Sequence, residues 1–492
     1  MRAILWLGIL AQAVQQVSRE TATANVATPD VVRTDRMKSK SMSQLGEAIA
    51  RYHRLLESEP YRDLGWAHAL QETMKQQKLS LGGRPVSPVL RPHFLTQRQY
   101  TSLSSTCETL SAAIDRLERA ALSNPGLLSR MQLLPAEKML AAVDPGYPYL
   151  AVTSLFGTHL DNGTMRFAEY SSETPVGVAF AGQVSDLFYD APPVREFRKK
   201  YKLSKLGGAK PLLSALLKAY KEWGGTKKPQ IGILEFRQPF QTSESTENYL
   251  LAEFFRTQGY EAVVASADQL DYRNGVLSRE GFAIDLVFRR LRVQEFLVRF
   301  DLAHPLLRAY REGAACFVNN FRSEIAQKRS IFDLLTDETI TASFPAAERR
   351  IIREFIPWTR VVSASKTTYQ GESVDLPDFI LKNQAKLVLR PNDDTAELAT
   401  FHGATVDASH WERALRIAMR SPYVVQEYVE PVRALFPMLT YGQLEMRELN
   451  VDVHPHSYLG KVQGASAWLT AGGPNGFSTL AGLAPAFLLE SK

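Results

Sequence analysis

The sequence predicts a mixed α/β chain in which α+β segments flank a small α/β unit, and three observations carry that prediction. Ile231-Gly-Ile-Leu-Glu-Phe236, a helix-patterned stretch from near Glu244 to Gly259, and Ala262-Val-Val-Ala265 make one strand-helix-strand unit of the parallel kind. Asp161-Asn162-Gly163 marks a two-residue hairpin, since Asn and Gly tolerate the positive φ that such a loop requires. Before that hairpin, apolar residues recur at helical spacing, as in Leu45, Ile49, Tyr52 and Leu56.

Taken in order, residues 1–41 begin with Met1-Arg2, an apolar Ala3 to Leu10 and an Ala11-Gln12-Ala13 triplet, which imitates a short secretory signal. The Ser/Thr/Ala-rich stretch that follows reads as unfolded, so an extension or a misassigned start is the preferred reading. Residues 42–227 form a helical section that carries the hairpin, and Gly224, Gly225 and Pro229 mark its end. Residues 228–313 hold the small α/β unit, with a further strand over Ile284–Phe288 that ends in Arg289-Arg290. Those arginines either gather a ligand at the carboxyl edge of the sheet or form an exposed strand end. Residues 314–492 return to mixed structure: Leu387–Arg390 and Tyr423–Glu427 read as strands, and Trp411, Leu415, Ala418 and Met419 as a helix.

Composition narrows the function. The chain has 492 residues, 45% of them hydrophobic, and a formal net charge of +6. That charge is spread through the sequence, and clusters such as Arg198-Lys199-Lys200 lack interleaved aromatics, so a nucleic-acid partner is not expected. No run approaches the ~20 apolar residues of a membrane span, and no membrane partner is expected. Cys107 and Cys316 are the two cysteines; both sit among apolar residues without metal-ligand spacing, which suits buried thiols in a reducing cytoplasm.

The hairpin is the first candidate for chemistry. With Asn162 and Gly163 as the loop, Asp161 faces Thr164, and an uninterrupted register sets Glu169 opposite Phe156 and Ser171 opposite Ser154. Glu169 and Ser171 then share a face, offering one carboxylate and a hydroxyl to a hard cation. A salt-bridged strand carboxylate is the competing reading of Glu169. Elsewhere, no G-x-G-x-x-G follows Ile231–Phe236, which argues against a dinucleotide, and His454-Pro-His456 reads as incidental rather than metal-binding.

Arg166-Phe-Ala-Glu-Tyr-Ser-Ser-Glu-Thr-Pro-Val-Gly177 resembles the metal-ligand strand of the circularly permuted ATP-grasp proteins, the glutathionylspermidine-synthetase-like group. The resemblance continues through Ala315–Leu335, Ile356-Pro-Trp-Thr-Arg360, Leu387-Val-Leu-Arg-Pro-Asn-Asp393 and Tyr423-Val-Val-Gln-Glu-Tyr-Val429. It implies an ATP-grasp fold with an inserted pre-grasp α/β domain, ATP and Mg²⁺ as cofactors, and small-molecule carboxylate and amine substrates joined through an acyl phosphate. It also implies roles for individual residues. Glu169 and Ser171 would hold metal; Arg329, Arg390, Gln426, Glu427 and Asn475 would bind nucleotide; Arg322 and Lys461 would act in catalysis. Several positions depart from the family pattern. Phe156 stands where a carboxylate is usual, Arg390 and Arg329 replace lysines, and Ala467 replaces an arginine. The loop from Asn392 to Gly403 is acidic rather than glycine-rich, and Ala481-Gly482-Leu483 replaces a glycine triplet. These losses keep open a second reading, a degenerate relative that binds or scaffolds without turnover.

Overall fold

The computed structural model describes residues 43–491 apart from 82, 162–163, 174, 237–245, 394–397 and 473–477. It is mixed α/β, as the sequence predicts, and built on three main sheets. Among the described residues no helix is long and apolar enough to cross a membrane.

The largest sheet is eight-stranded and threads His93–Thr96, Ser478–Ser491, Lys461–Gly472, Gln443–Tyr458, Thr153–Asp161 and Thr164–Ser171 in that spatial order. Val432–Thr440 and Tyr201–Lys205 add to it at Gln443–Tyr458 and Ser478–Ser491. One face packs on the helix Gln97–Ser123, which starts at a capping box between Thr96 and Gln99. Leu103, Cys107, Leu110, Ile114 and Leu117 recur on one side of that helix and are buried with Phe156, Phe167, Val451 and Val453 of the sheet. Burying each large apolar side chain contributes roughly 1.5–3 kcal/mol, so this interface fixes which face of every strand looks inward.

The predicted strand-helix-strand unit is present. Ile231–Glu235 and Ala262–Ser266 pair in parallel around the helix Thr246–Thr257. Leu286–Arg289 and Cys316–Val318 extend the same parallel sheet, so it runs on past residue 313. Ile231, Ile233 and Leu234 are buried, as the apolar run requires of a strand covered on both faces. The third sheet orders Thr359–Val361, Tyr423–Glu427, Leu387–Pro391 and Phe401–His402, all antiparallel, and the helices Leu376–Lys382 and Ala408–Ala418 back it through Ile380, Trp411 and Leu415.

Two expectations require correction. Asp161 pairs with Thr164 as counted, but the hairpin register shifts at Gly157 and Thr158: Thr158 pairs with Phe167, and Gly157 with Glu169. Ala168 is the extra residue of a bulge. Beyond it Glu169 opposes Gly157 rather than Phe156, and Ser171 opposes Leu155 rather than Ser154. The cause is packing. An uninterrupted ladder would set a carboxylate and an apolar ring, Glu169 and Phe156, on one face, whereas the bulge separates them and brings Tyr170 to Phe156, ring centroids 4.9 Å apart. The second correction concerns Arg289 and Arg290, which are neither exposed nor facing an open sheet edge. Arg289 is buried and pairs with Glu324 at 2.7 Å and Glu173 at 3.6 Å, and the Arg290 side chain, 4% exposed, pairs with Glu247 at 2.7 Å.

Candidate functional site

The hairpin and the third sheet meet at Glu169. Arg390, on the strand Leu387–Pro391, donates through Nη2 to Glu169 Oε1, and through Nη1 to the Ala168 carbonyl at 3.2 Å and Gln426 Oε1 at 3.3 Å. Gln426 lies on the adjacent strand, across from Val388, and its amide donates to Thr359 Oγ1 at 3.0 Å. One guanidinium therefore ties the hairpin of the large sheet to two strands of the third. Burial opposes ionisation of Glu169, but Arg390 and Arg329 outweigh it and hold the carboxyl below its ordinary value. The Glu169 side chain remains 46% exposed, so a ligand can reach it.

Arg329 stands beside this pair, its backbone N–H bonded to the Asn392 carbonyl and its Nη1 to the Pro391 carbonyl at 2.8 Å. Its neighbour Lys328 is 1% exposed and lies between Glu137, at 2.7 Å, and Asp393. Burial disfavours the ammonium, but the two carboxylates more than compensate and raise its pKa. Asp393, the first acid of the loop in place of a glycine-rich turn, thus has its charge offset by Lys328 rather than presented to a phosphate. The loop's other acids, Asp394 and Glu397, lie outside the described residues.

Glu427 turns its side chain away from Arg390, accepting from Trp358 N at 3.1 Å and Tyr369 OH at 2.9 Å. Burial and that bond push the Tyr369 phenol up to about 12. The backbone of Tyr428 donates to the Lys386 carbonyl at 2.8 Å. Ser171 shares the Glu169 face, but its hydroxyl lies 3.4 Å from Gln327 Oε1, which also receives the backbone N–H groups of Ser172 and Glu173. Arg322 donates through Nε to the Ala141 carbonyl at 3.3 Å.

The structure does not bring Lys461 to this group. It is 68% exposed and pairs at 2.7 Å with Glu108 of the helix that covers the opposite face of the large sheet. Counting strands and residues separates it from Glu169 by roughly 20 Å. Ala467 likewise faces the Phe156 core, while its neighbours Ser466 and Trp468 face the other way. Asn475 lies outside the described residues.

Sequence reasoning missed Asp452. It lies on Gln443–Tyr458, the strand that flanks Thr153–Asp161 on the side opposite the hairpin partner. A Cβ added at Gly157 would lie 3.4 Å from Asp452 Oδ2, 3.4 Å from Glu169 Oε2 and 3.1 Å from Glu169 Cβ. Glycine at 157 therefore lets the Glu169 and Asp452 side chains approach the backbone closely from the two flanking strands. Burial is the largest influence on Asp452, yet His454, whose Nε2 is 3.2 Å away, and the Thr158 backbone hold its carboxyl below the ordinary value. Asp452 Oδ1 is buried and has no hydrogen-bond partner. The signal in the sequence was the alternation Asn450-Val-Asp-Val-His454, which puts valines on one face and polar groups on the other. His456 is separate: it is buried against Ser466 Oγ at 3.0 Å. Among the described residues no group of three or more His, Cys, Asp or Glu is arranged as a ready metal cage.

No protein-family model matches the sequence, and no curated protein sequence matches it. Solved structures do resemble the fold. A glutathione synthetase-like effector from Globodera pallida superposes with a TM-score of 0.51 at 13% identity, covering 89% of this chain and 98% of its own. A proposed gamma-glutamylcysteine synthetase from Methylobacillus flagellatus gives a TM-score of 0.40 at 10% identity, covering 79% of this chain and 87% of its own. A RimK domain ATP-grasp protein from Sphaerobacter thermophilus gives 0.27 at 16% identity, covering 52% of this chain and 90% of its own. The chain shares the fold of the glutathione synthetase-like effector.

Proposed function

We propose that this protein is an ATP-dependent carboxylate-amine ligase of the circularly permuted ATP-grasp type, working in a reducing cytoplasm. The observation that supports the reading most directly is the convergence of Glu169, Arg390 and Gln426 from two sheets, since these positions were assigned to metal and nucleotide from separate sequence motifs. The reaction moves the γ-phosphoryl group of ATP to a substrate carboxylate, and an amine then displaces phosphate from the acyl carbon and loses a proton. Negative charge gathers on the transferred oxygens, so the site must supply fixed cations and donors. Arg390 and Arg329 supply the charge. The N–H groups of Glu427 and Tyr428 already donate to the Trp358 and Lys386 carbonyls, so within Gln426–Val429 it is Val429 that would pair with the adenine edge, and Arg322 would face the acyl phosphate.

Magnesium would find the half-exposed carboxylate of Glu169 as its ligand, with Asp452 Oδ2 on the neighbouring strand but one already paired with His454 Nε2 at 3.2 Å. When bound there, the ion would supply charge neutralisation to the phosphate oxygens. Calorimetric titration of the full chain with a non-hydrolysable ATP analogue, with and without magnesium, tests the reading. Magnesium-dependent binding supports it and justifies a substrate screen by phosphate release, whereas no binding at millimolar nucleotide overturns it.

A second reading, a nucleotide-free relative that binds or scaffolds, is favoured by one observation. Lys328 and Arg390 are already neutralised by the protein's own carboxylates. Turnover separates the two readings.

A further inference from the structure

We propose that a cleft behind the strand Tyr423–Glu427 binds a small aromatic carboxylate, with Arg349 and Arg353 receiving the charge and Trp358 and Tyr369 flanking the ring. This site is separate from the one at Arg390 and does not rest on the ligase reading. Side chains alternate along a strand, so Gln426 faces Arg390 while its neighbour Glu427 lines the cleft.

The cleft has a volume of about 600 Å³, which lies within the range of small-molecule sites and far exceeds what a bare phosphate fills. Ile352 and Ile356, both buried, give it an apolar floor. Two rings stand beside that floor. Trp358 and Tyr369 meet edge to face with centroids 5.2 Å apart, and both pack on Phe379. Each is also held by a hydrogen bond: the indole N–H donates to the Thr368 carbonyl at 2.9 Å, and the phenol to Glu427 Oε1 at 2.9 Å. A ligand therefore meets walls that need no reordering before it binds.

The charges decide the sign of that ligand. Arg349 and Arg353 lie one turn apart on the helix Ala346–Phe355, and both line the cleft. Arg349 donates to the Ala342 carbonyl at 2.8 Å, and neither arginine pairs with a carboxylate among the described residues. Like charges at this spacing repel each other, and an anion shared by two guanidinium groups reverses the effect. Two carboxylates also line the cleft. Glu427 accepts from the Trp358 N–H at one oxygen and from the Tyr369 hydroxyl at the other, so donors already offset its charge. Glu338 is exposed to solvent, and the two arginines outnumber it. The apolar floor and the rings call for a flat apolar body, and the arginine pair for an anionic head.

The test is a ¹⁹F NMR titration of the full chain, without nucleotide, using 4-(trifluoromethyl)phenylacetate as the probe and its primary amide as the neutral control. The acid should bind saturably at one site per chain, and the amide at least tenfold more weakly. The double variant Arg349→Gln with Arg353→Gln should weaken the acid at least tenfold while urea unfolding stays unchanged, since both side chains are exposed. Arg350→Gln removes an exposed charge from the same helix but outside the cleft lining, and should leave the affinity as it is. Equal binding of acid and amide overturns the proposal, as does an acid affinity that ignores the double variant. Weakening by Arg350→Gln as large as that of the pair also overturns it, because the probe would then be reading surface charge alone. Absence of saturable binding in wild type does the same.

Discussion

Replacing Phe156 separates the bulged hairpin from an uninterrupted one, because the two registers predict opposite outcomes. In the bulged register the ring is fully buried, edge-on to Phe167 at 5.5 Å and tilted against Tyr170 at 4.9 Å. Truncation in Phe156→Ala leaves a cavity under the large sheet and should cost about 3–5 kcal/mol. Phe156→Asp should cost more, since a carboxylate would stand among those rings with no donor to meet it. In the uninterrupted register Phe156 would flank Glu169 on the ligand face, and Phe156→Asp would spare stability and strengthen cation binding. Urea unfolding of both variants, with a Mn²⁺ titration of whatever remains folded, decides between them. A Phe156→Asp protein within about 1 kcal/mol of wild type, with tighter Mn²⁺ binding, would refute the bulge.

Lys328→Met leaves Glu137 and Asp393 facing each other without their cation, and denaturant unfolding should show a loss of about 3–5 kcal/mol. His456 has its imidazole pKa depressed by burial to about 3, against an ordinary 6.5, so the unfolded chain binds the extra proton between those values. Its contribution is complete above pH 6.5 and is lost as pH falls toward 3, at a slope near 1.4 kcal/mol per unit; His456→Gln should remove that slope from stability measured between pH 6 and 4. Cys107 and Cys316 are buried, and burial raises both thiols, so mass spectrometry after alkylation at pH 7.5 should find neither modified until the protein is unfolded.

Legibility in the sequence followed how local the determining physics is. The parallel unit from Ile231 and the helix ending in Ala418 are fixed by apolar period and length, and both were readable within a turn or a strand. The hairpin loop was readable, but its register was not. A bulge is decided by whether Phe156, Phe167 and Tyr170 can pack on one helix-covered face, which a count along the strands does not see. Arg289 and Arg290 were misread for the same reason: Glu173, Glu247 and Glu324 come from distant segments, and only the fold reveals that charge is waiting for charge. Asp452 went unnoticed because Glu169, which flanks Gly157 from the other side, is 283 positions away in sequence and only two strands removed in space.

The cations near Glu169 are held with unequal strength, and that inequality constrains how a phosphate could be received. Lys328 is buried between two carboxylates, and pulling it away would strand both acids at a cost of several kcal/mol. No single hydrogen bond to a phosphate, at about 1.5–3 kcal/mol for a charged pair, offsets that. Arg390 is held differently. Its partner Glu169 is half exposed, and pairs of that kind contribute about 0–1 kcal/mol. A guanidinium also carries enough donors to keep Gln426 and the Ala168 carbonyl while exchanging a carboxylate for a phosphate oxygen. If a phosphate binds here as proposed, Arg390 is the group expected to change partner, and Lys328 to stay where it is, fixing Asp393 and the start of the loop. On this account Arg390→Lys, which keeps the charge and loses the fork, weakens anion binding without unfolding the protein, whereas any substitution of Lys328 is felt first in stability.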